Sequence, residues 1–204
     1  MASMDVHYSS KTEMWGTPQD FFDILDAEFK FTLDPCAIEQ NAKCKYYFTP
    51  EQDGLKADWG NHRVFMNPPY GNVIGQWMEK AYKAAVRGAL VVCLIPARTD
   101  TRWWVKYCMR ATEIRLVQGR LRFVMNGNEE NAAPAPFPSA VVIFDPMQMG
   151  ELKNNYPSMI PIDRDGLPIV PETFVLKPKV SDEVEVIEPC RNEKKCSRWE
   201  SLDI

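Results

Sequence analysis

The run Ala89-Leu-Val-Val-Cys-Leu-Ile95, set between Gly88 and Pro96, constrains the fold more than any other stretch of the chain. It is too short for a membrane span, which needs about 20 apolar residues. It is also apolar at every position, so as a strand it must be covered on both faces, as at the buried centre of a parallel sheet. The segment before it is helical: Ile74, Trp77, Met78, Ala81, Ala84 and Ala85 recur on one face, and Gly88 supplies the stop. Further strands are expected at Phe31–Leu33, Arg63–Met66, Glu113–Val117, Leu121–Val124 and Ser139–Phe144. Thr17 reads as a helix N-cap, with Pro18 in the first turn and Phe21, Phe22, Leu25 and Phe29 on one face. Another helix is expected over Thr101–Arg110. This alternation predicts an α/β chain with a central, mostly parallel, doubly wound sheet flanked by helices.

Composition limits the function classes. The 204 residues are 45% hydrophobic and 25% charged, which excludes disorder over the whole length. The net charge of -4 excludes a uniformly basic nucleic-acid coat, but the charge is unevenly spread. From Asp145 onward there are 12 acidic and 8 basic residues, which leaves residues 1–144 neutral. Within that neutral part, Lys83–Arg122 carries nine basic residues against Asp100 and Glu113 alone, a local excess suited to phosphates. The N-terminus is polar and lacks a signal-peptide core, so a cytoplasmic protein with its six cysteines as reduced thiols is expected, without a membrane partner. Three parts are expected: an arm over 1–14, a compact domain over 15–145, and a proline-rich acidic extension over 146–204. The extension reads as an extended or partly disordered wrap with one alternating stretch, Val180–Ile187; its Cys190 and Cys196 lack zinc-site spacing. His7 and His62 are lone histidines, read as surface residues, and no metal site is expected.

Chemistry is concentrated in Val64-Phe-Met-Asn-Pro-Pro-Tyr-Gly71, where an apolar strand delivers Asn67, Pro68, Pro69 and Tyr70 to the carboxyl edge of the sheet. Two prolines stiffen the turn and remove two N–H donors, leaving carbonyls to accept hydrogen bonds. The Asn67 side-chain oxygen and the Pro68 carbonyl can converge on one NH2 group while Tyr70 lies against the planar system that bears it. Such an amide-like nitrogen is a poor nucleophile, because its lone pair is conjugated. Two acceptors draw its hydrogens out of plane, localise the pair and take up charge as an alkyl group arrives.

Asn67-Pro-Pro-Tyr70 resembles the catalytic motif of amino-methyltransferases that use S-adenosylmethionine. From Trp15 to Phe144 the chain resembles the compact phage and prophage family of DNA N6-adenine methyltransferases, the Dam type. The matching pieces are Trp15-Gly-Thr-Pro18, Leu33-Asp-Pro-Cys-Ala37, Asn41-Ala-Lys-Cys44, Asp53-Gly-Leu55 with Trp59, the Asn67 motif, Pro96-Ala-Arg-Thr-Asp-Thr101 with Trp103-Trp104, Gly119-Arg-Leu121 and Phe137-Pro-Ser139. The resemblance implies a Rossmann-like methyltransferase fold, S-adenosylmethionine as cofactor, and a flipped adenine of double-stranded DNA as substrate. It places Trp15, Thr17 and Pro18 at the methionine end of the cofactor, Asp34, Pro35, Cys36 and Ala37 in the loop that holds it, and Asp53 or Asp58 at its adenosine. One departure stands out: the loop Asp34-Pro-Cys-Ala37 has none of the glycines that usually let backbone pass close to this cofactor.

Flipping a base costs about a few kcal/mol, so backbone contacts must offset it. Arg98, Arg102, Lys106, Arg120 and Arg122 are the candidate phosphate contacts. Trp103 is a candidate stacking or wedging side chain, although adjacent tryptophans on a helix diverge and one of the pair is expected in the core. Met125–Pro138 reads as a flexible loop near the sheet end. A cytosine-C5 reaction through Pro35-Cys36 is rejected, because that chemistry needs its thiolate on a separate loop. Two alternatives stay open from sequence: methylation of RNA or of protein glutamine amides, and an inactive DNA-binding relative.

Overall fold

The structure is a computed structural model of the chain, and it describes residues 15–125, 128–149 and 157–169. The 1–14 arm with His7, and Val180–Ile187, Cys190 and Cys196, lie outside the described residues. The strands are β1 (Trp15–Gly16), β2 (Leu33–Asp34), β3 (Tyr46–Tyr47), β4 (Arg63–Met66), β5 (Leu90–Pro96), β6 (Glu113–Val117), β7 (Arg122–Met125), β8 (Asn128–Pro134), β9 (Ser139–Phe144) and β10 (Ser158–Ile162). The helices are α1 (Gln19–Phe29), α2 (Ile74–Val86) and the short α3 (Arg102–Lys106), which runs into a 3-10 turn over Cys108–Arg110.

Seven strands form one sheet in the order β10-β6-β9-β5-β4-β2-β3. Neighbours are parallel except where β9 runs antiparallel to both β5 and β6. The apolar run is its middle strand, and successive residues go to opposite faces as the period of two requires. Val91, Cys93 and Ile95 join α2 and Trp104 in one cluster, while Val92 and Leu94 join Phe21, Phe22, Leu25 and Phe29 of α1 in the other. A strand wedged between two helical layers has no polar face to offer, which is why its sequence has none. The expected α/β architecture, helices on both faces of a mostly parallel sheet, is therefore the one observed. Among the described residues no helix is long and apolar enough to cross a membrane.

Several elements differ from expectation. Thr17 does not cap α1: the cap position falls at Pro18, no side chain bonds there, and the Asp20 carboxylate accepts the Phe21 N–H instead. The stretch expected to be a flexible loop over Met125–Pro138 contains β8, paired antiparallel with β7 and with Met125 opposite Asn128. Two residues, Asn126-Gly127, separate those partners, and that dipeptide is the strongest short hairpin signal in a sequence. The Asn-, Glu- and Ala-rich β8 has little strand propensity of its own, so its form comes from pairing with β7. This hairpin and β1 make a separate sheet, in the order β1-β7-β8. The turn-rich stretch between β2 and β4 contributes the edge strand β3. Beyond Asp145, Ser158–Ile162 is not an extended wrap: it is β10, in parallel register with β6.

Chain order locates the crevice. After β2 the chain moves outward to β3, then returns on the other side of β2 to lay down β4, β5 and β9. The order thus reverses between β2 and β4, and ligands of such sheets bind beyond the carboxyl ends of the strands at that point. The residues leaving those two ends are Pro35–Ala37 and Asn67–Tyr70.

Candidate active site at the carboxyl edge of the sheet

β4 ends at the buried Met66, and the polar residue that follows emerges at the rim half-buried. The Asn67 carboxamide is held from two directions. Its Nδ2 donates to Thr17 Oγ1 at 3.0 Å, and its Oδ1 accepts the Tyr70 hydroxyl at 2.8 Å. Thr17 is only 2% exposed and enters from the stretch between β1 and α1. Burial pushes the Tyr70 hydroxyl well above its usual range, so it stays an O–H donor. The Tyr70 ring is braced edge-on by Phe137 and Phe123, with centroids at 5.2 and 6.3 Å. Phe123 lies on β7, and Phe137 precedes β9, whose first residue Ser139 pairs with Pro96 and has a buried hydroxyl with no hydrogen-bond partner among the described residues. Pro68 is buried and Pro69 half-buried.

Opposite lies the loop after β2. Asp34, 5% exposed, accepts the Cys36 N–H on Oδ1 at 3.1 Å and the Lys43 N–H on Oδ2 at 3.3 Å. The Ala37 N–H goes to the Phe48 carbonyl at 3.2 Å. An Asx turn and a proline thus do the bending for which related loops use glycine. The glycine that does permit close approach comes from elsewhere: a Cβ on Gly54 would stand 2.1 Å from the Pro35 carbonyl oxygen. Burial raises the Asp34 carboxyl from 3.8 to about 6, against the opposing pull of the Cys36 and Lys43 N–H groups. Burial also raises the Cys36 thiol well above its usual range, so it is no thiolate nucleophile.

Asp53 adopts a left-handed conformation with φ 54°, accepts its own Leu55 N–H, and pairs with Lys56 at 2.7 Å, a bond that lowers its carboxyl. Through Gly54 it adjoins the Pro35 loop, and Trp59 fastens the turn by donating to the Gly54 carbonyl at 2.8 Å. Asp58 is exposed and accepts the Gly60 N–H.

The other sequence candidates are distributed around the same edge. Trp15 enters through its backbone, paired with Met125. Pro18 is the half-buried residue before α1. Arg98 follows the end of β5, Arg102 and Lys106 lie on α3, Arg120 lies between β6 and β7, and Arg122 opens β7; all are exposed. Arg122 donates to the Ala132 carbonyl across the hairpin. Trp104 is core, 2% exposed, whereas Trp103 is half-buried with its Cβ 3.4 Å from where a Cβ on Gly75 would lie. Arg115, equally basic in sequence, is committed to Glu28 and Glu113 at 2.6 and 2.5 Å. Sequence reading missed Phe123 as a brace for Tyr70 and the Thr17–Asn67 contact. The spacing of residues 17 and 67 carries no local signal for it.

A central mostly parallel sheet with one antiparallel strand, whose order reverses between β2 and β4, and an Asn-Pro-Pro-Tyr turn leaving β4 next to the carboxylate-stapled loop leaving β2 define a Rossmann-like methyltransferase. Comparison with known families is in accord. The model of the family described as DNA N-6-adenine-methyltransferase (Dam) matches residues 6–167, and the chain belongs to that family. It is 32% identical over 162 residues to a DNA N-6-adenine-methyltransferase of Haemophilus phage HP1 (strain HP1c1), covering 78% of this chain and 94% of that one. It is 30% identical over 119 residues to a DNA N-6-adenine-methyltransferase of Escherichia phage T1, covering 57% of this chain and 50% of the other. Methyltransferases of this family use S-adenosylmethionine. The donor set of the loop leaving β2 is compatible with that group: it combines the Asp34 carboxylate with the small Ala37, and Gly54 lets the neighbouring turn pack against Pro35.

Proposed function

We propose that this chain methylates N6 of an adenine flipped out of double-stranded DNA, in the cytoplasm of a bacterial host. The observation that supports this reading most directly is the Asn67 carboxamide, bonded to Thr17 and Tyr70 where β4 leaves the sheet next to β2. S-adenosylmethionine, when bound, supplies an electrophilic methyl group on a sulfonium. Asp34, Pro35, Cys36 and Ala37 hold its methionine part together with Trp15, Thr17 and Pro18, and Asp53, which adjoins the loop, is favoured over the exposed Asp58 for its adenosine.

The target amino group enters between Asn67 and Pro68. Before the base arrives, the Tyr70 hydroxyl holds the donor's place on Asn67 Oδ1. Entry of the base replaces that donor with an N6–H and frees the Tyr70 ring to stack on the purine. The Asn67 oxygen and the Pro68 carbonyl then stabilise the growing positive charge on nitrogen as the C–N bond forms and the methyl–sulfur bond breaks. One N6 proton leaves to solvent afterwards, giving the neutral N6-methyl product. Arg98, Arg102, Lys106, Arg120 and Arg122 hold phosphates around the rim, with Trp103 beside α3 as the stacking candidate.

The test incubates the protein with labelled S-adenosylmethionine and unmethylated duplex DNA, then digests the DNA to nucleosides for mass spectrometry. N6-methyldeoxyadenosine from the wild type, absent with Asn67→Ala, is expected. A different methylated nucleoside, or label in RNA or protein glutamine instead of DNA, would overturn the reading.

A further inference from the structure

We propose that Arg164, on the turn after β10, is a further phosphate contact, and that duplex DNA lies along the carboxyl edge of the sheet from the Asn67 turn toward β10. This rests on the reading of the protein as a DNA methyltransferase. It extends the interface into a stretch that the sequence alone reads as an extended wrap.

Strand direction sets the position. β5 and β6 each pair antiparallel with β9, β4 is parallel to β5, and β10 is parallel to β6. The carboxyl ends of β4, β5, β6 and β10 therefore share one edge, the edge at which Asn67 leaves β4. Arg98 comes after β5, Arg120 after β6 and Arg164 after β10, and all three are exposed. Strands lie about 4.8 Å apart, so the order β10-β6-β9-β5 spreads these arginines over about 14 Å, the rise of about four base pairs at about 3.4 Å each.

The turn that carries Arg164 is tightly built. Pairing continues past the strand ends, with the Gln118 N–H on the Ile162 carbonyl at 2.8 Å. Asp163 Oδ1 accepts the N–H groups of Asp165 and Leu167, both at 2.9 Å, so that carboxylate is occupied by its own turn. Gly166 packs so near α1 that a Cβ there would meet Ile24 Cγ2 at 2.6 Å. The Arg164 guanidinium lies against Gly119, the residue before Arg120: a Cβ on Gly119 would stand 3.1 Å from Nη2 and 3.4 Å from Nε. Among the described residues Arg164 makes no ion pair or side-chain hydrogen bond, not even with its exposed neighbour Asp165. Arg115, by contrast, is taken up by two carboxylates. A planar cation held in place with its N–H donors uncommitted suits a phosphate, and it loses less freedom on binding than a loose one. So far from Asn67 it meets backbone flanking the target, which positions the duplex and reads no base.

The experiment compares wild type, Arg164→Ala, Arg164→Lys and Arg87→Ala, the last a control because exposed Arg87 precedes β5 and so lies at the opposite edge of the sheet. Binding to a fluorescent duplex that the wild type methylates is followed by anisotropy as salt is raised. Methyl transfer gives kcat and KM, and urea denaturation reads the fold. Arg164→Ala is expected to flatten the plot of log affinity against log salt by about 0.9, so that the wild type loses about 3.5-fold more affinity than the variant between about 50 and about 200 mM salt. The variant is also expected to raise KM for DNA at low salt and leave kcat unchanged, because Arg164 touches no reacting atom. Arg164→Lys retains the charge and should keep the wild-type slope, as should Arg87→Ala. Should alanine unsettle the turn, Arg164→Gln removes the charge and keeps most of the side chain over Gly119.

A wild-type slope in Arg164→Ala, or an equal flattening by Arg87→Ala, would overturn the proposal. So would a lowered urea midpoint with an unchanged slope, which assigns the arginine to holding the turn. If the wild type methylates no duplex DNA, the reading of the function fails and this inference with it. If it does methylate DNA and the slope ignores Arg164, this inference alone fails.

Discussion

Gly54→Ala tests the packing of the cofactor loop at a single atom. The added Cβ would fall 2.1 Å from the Pro35 carbonyl oxygen and 3.2 Å from the Trp77 ring. The first distance is impossible for a real contact, and the obstacle is backbone, so the Asp53–Leu55 turn must retreat by about 1 Å. Overpacking of this kind costs about 1–3 kcal/mol. Retreat also loosens the buried bond from Trp59 Nε1 to the Gly54 carbonyl, adding about 1 kcal/mol. The expected total of about 2–4 kcal/mol lowers the melting temperature by about 5–15 °C in a domain of this size. Because the moving turn carries Asp53 and leans on Pro35, S-adenosylmethionine affinity should fall as well. Gly60→Ala is the control: with φ 49° and open space around it, it pays left-handed strain of about 1 kcal/mol and leaves cofactor affinity alone. Urea denaturation and calorimetric titration read both quantities. A Gly54→Ala protein within about 0.5 kcal/mol of wild type, with unchanged affinity, would refute the packing argument.

Three further outcomes are expected. Since burial raises the Asp34 carboxyl from 3.8 to about 6, the native state retains a proton that the unfolded chain has released between those values. Its stabilising contribution is therefore complete below about pH 4 and lost as pH rises through about 6, by about 3 kcal/mol in all; urea midpoints of wild type and Asp34→Asn should diverge over that window, and parallel curves would contradict it. Tyr70→Phe removes only the placeholder hydroxyl and should stay within about 3-fold of wild-type kcat, whereas Tyr70→Ala loses base stacking worth about 1–3 kcal/mol and should raise KM for DNA accordingly. Alanine at Arg98, Arg102 or Arg120 should each flatten the log affinity against log salt plot by about 0.9, while Arg115→Ala leaves that slope unchanged and destabilises the fold by about 1–3 kcal/mol, because Glu28 and Glu113 lose their partner.

The sequence by itself determined the centre of the sheet and the helix packed on it. A seven-residue apolar strand beside a 3.6-period helix admits one environment, so β5, α2 and the class of fold were legible, as was the Asn67 turn at a strand end. These are local signals: periodicity, a glycine stop, prolines that bar N–H donation. Tertiary structure decided the rest, because it depended on pairings between distant segments. β1 and β8 are strands only through β7, and β3 is one only beside β2. Thr17 carries a cap signature, yet its hydroxyl accepts the Asn67 side-chain NH2 and makes no cap bond to α1. The close approach that a loop glycine usually provides is supplied by Gly54, remote from Pro35 in sequence and adjacent in space. Arg115 and Arg120 look alike in a charge count; only the fold places two carboxylates beside the first and leaves the second exposed at the rim.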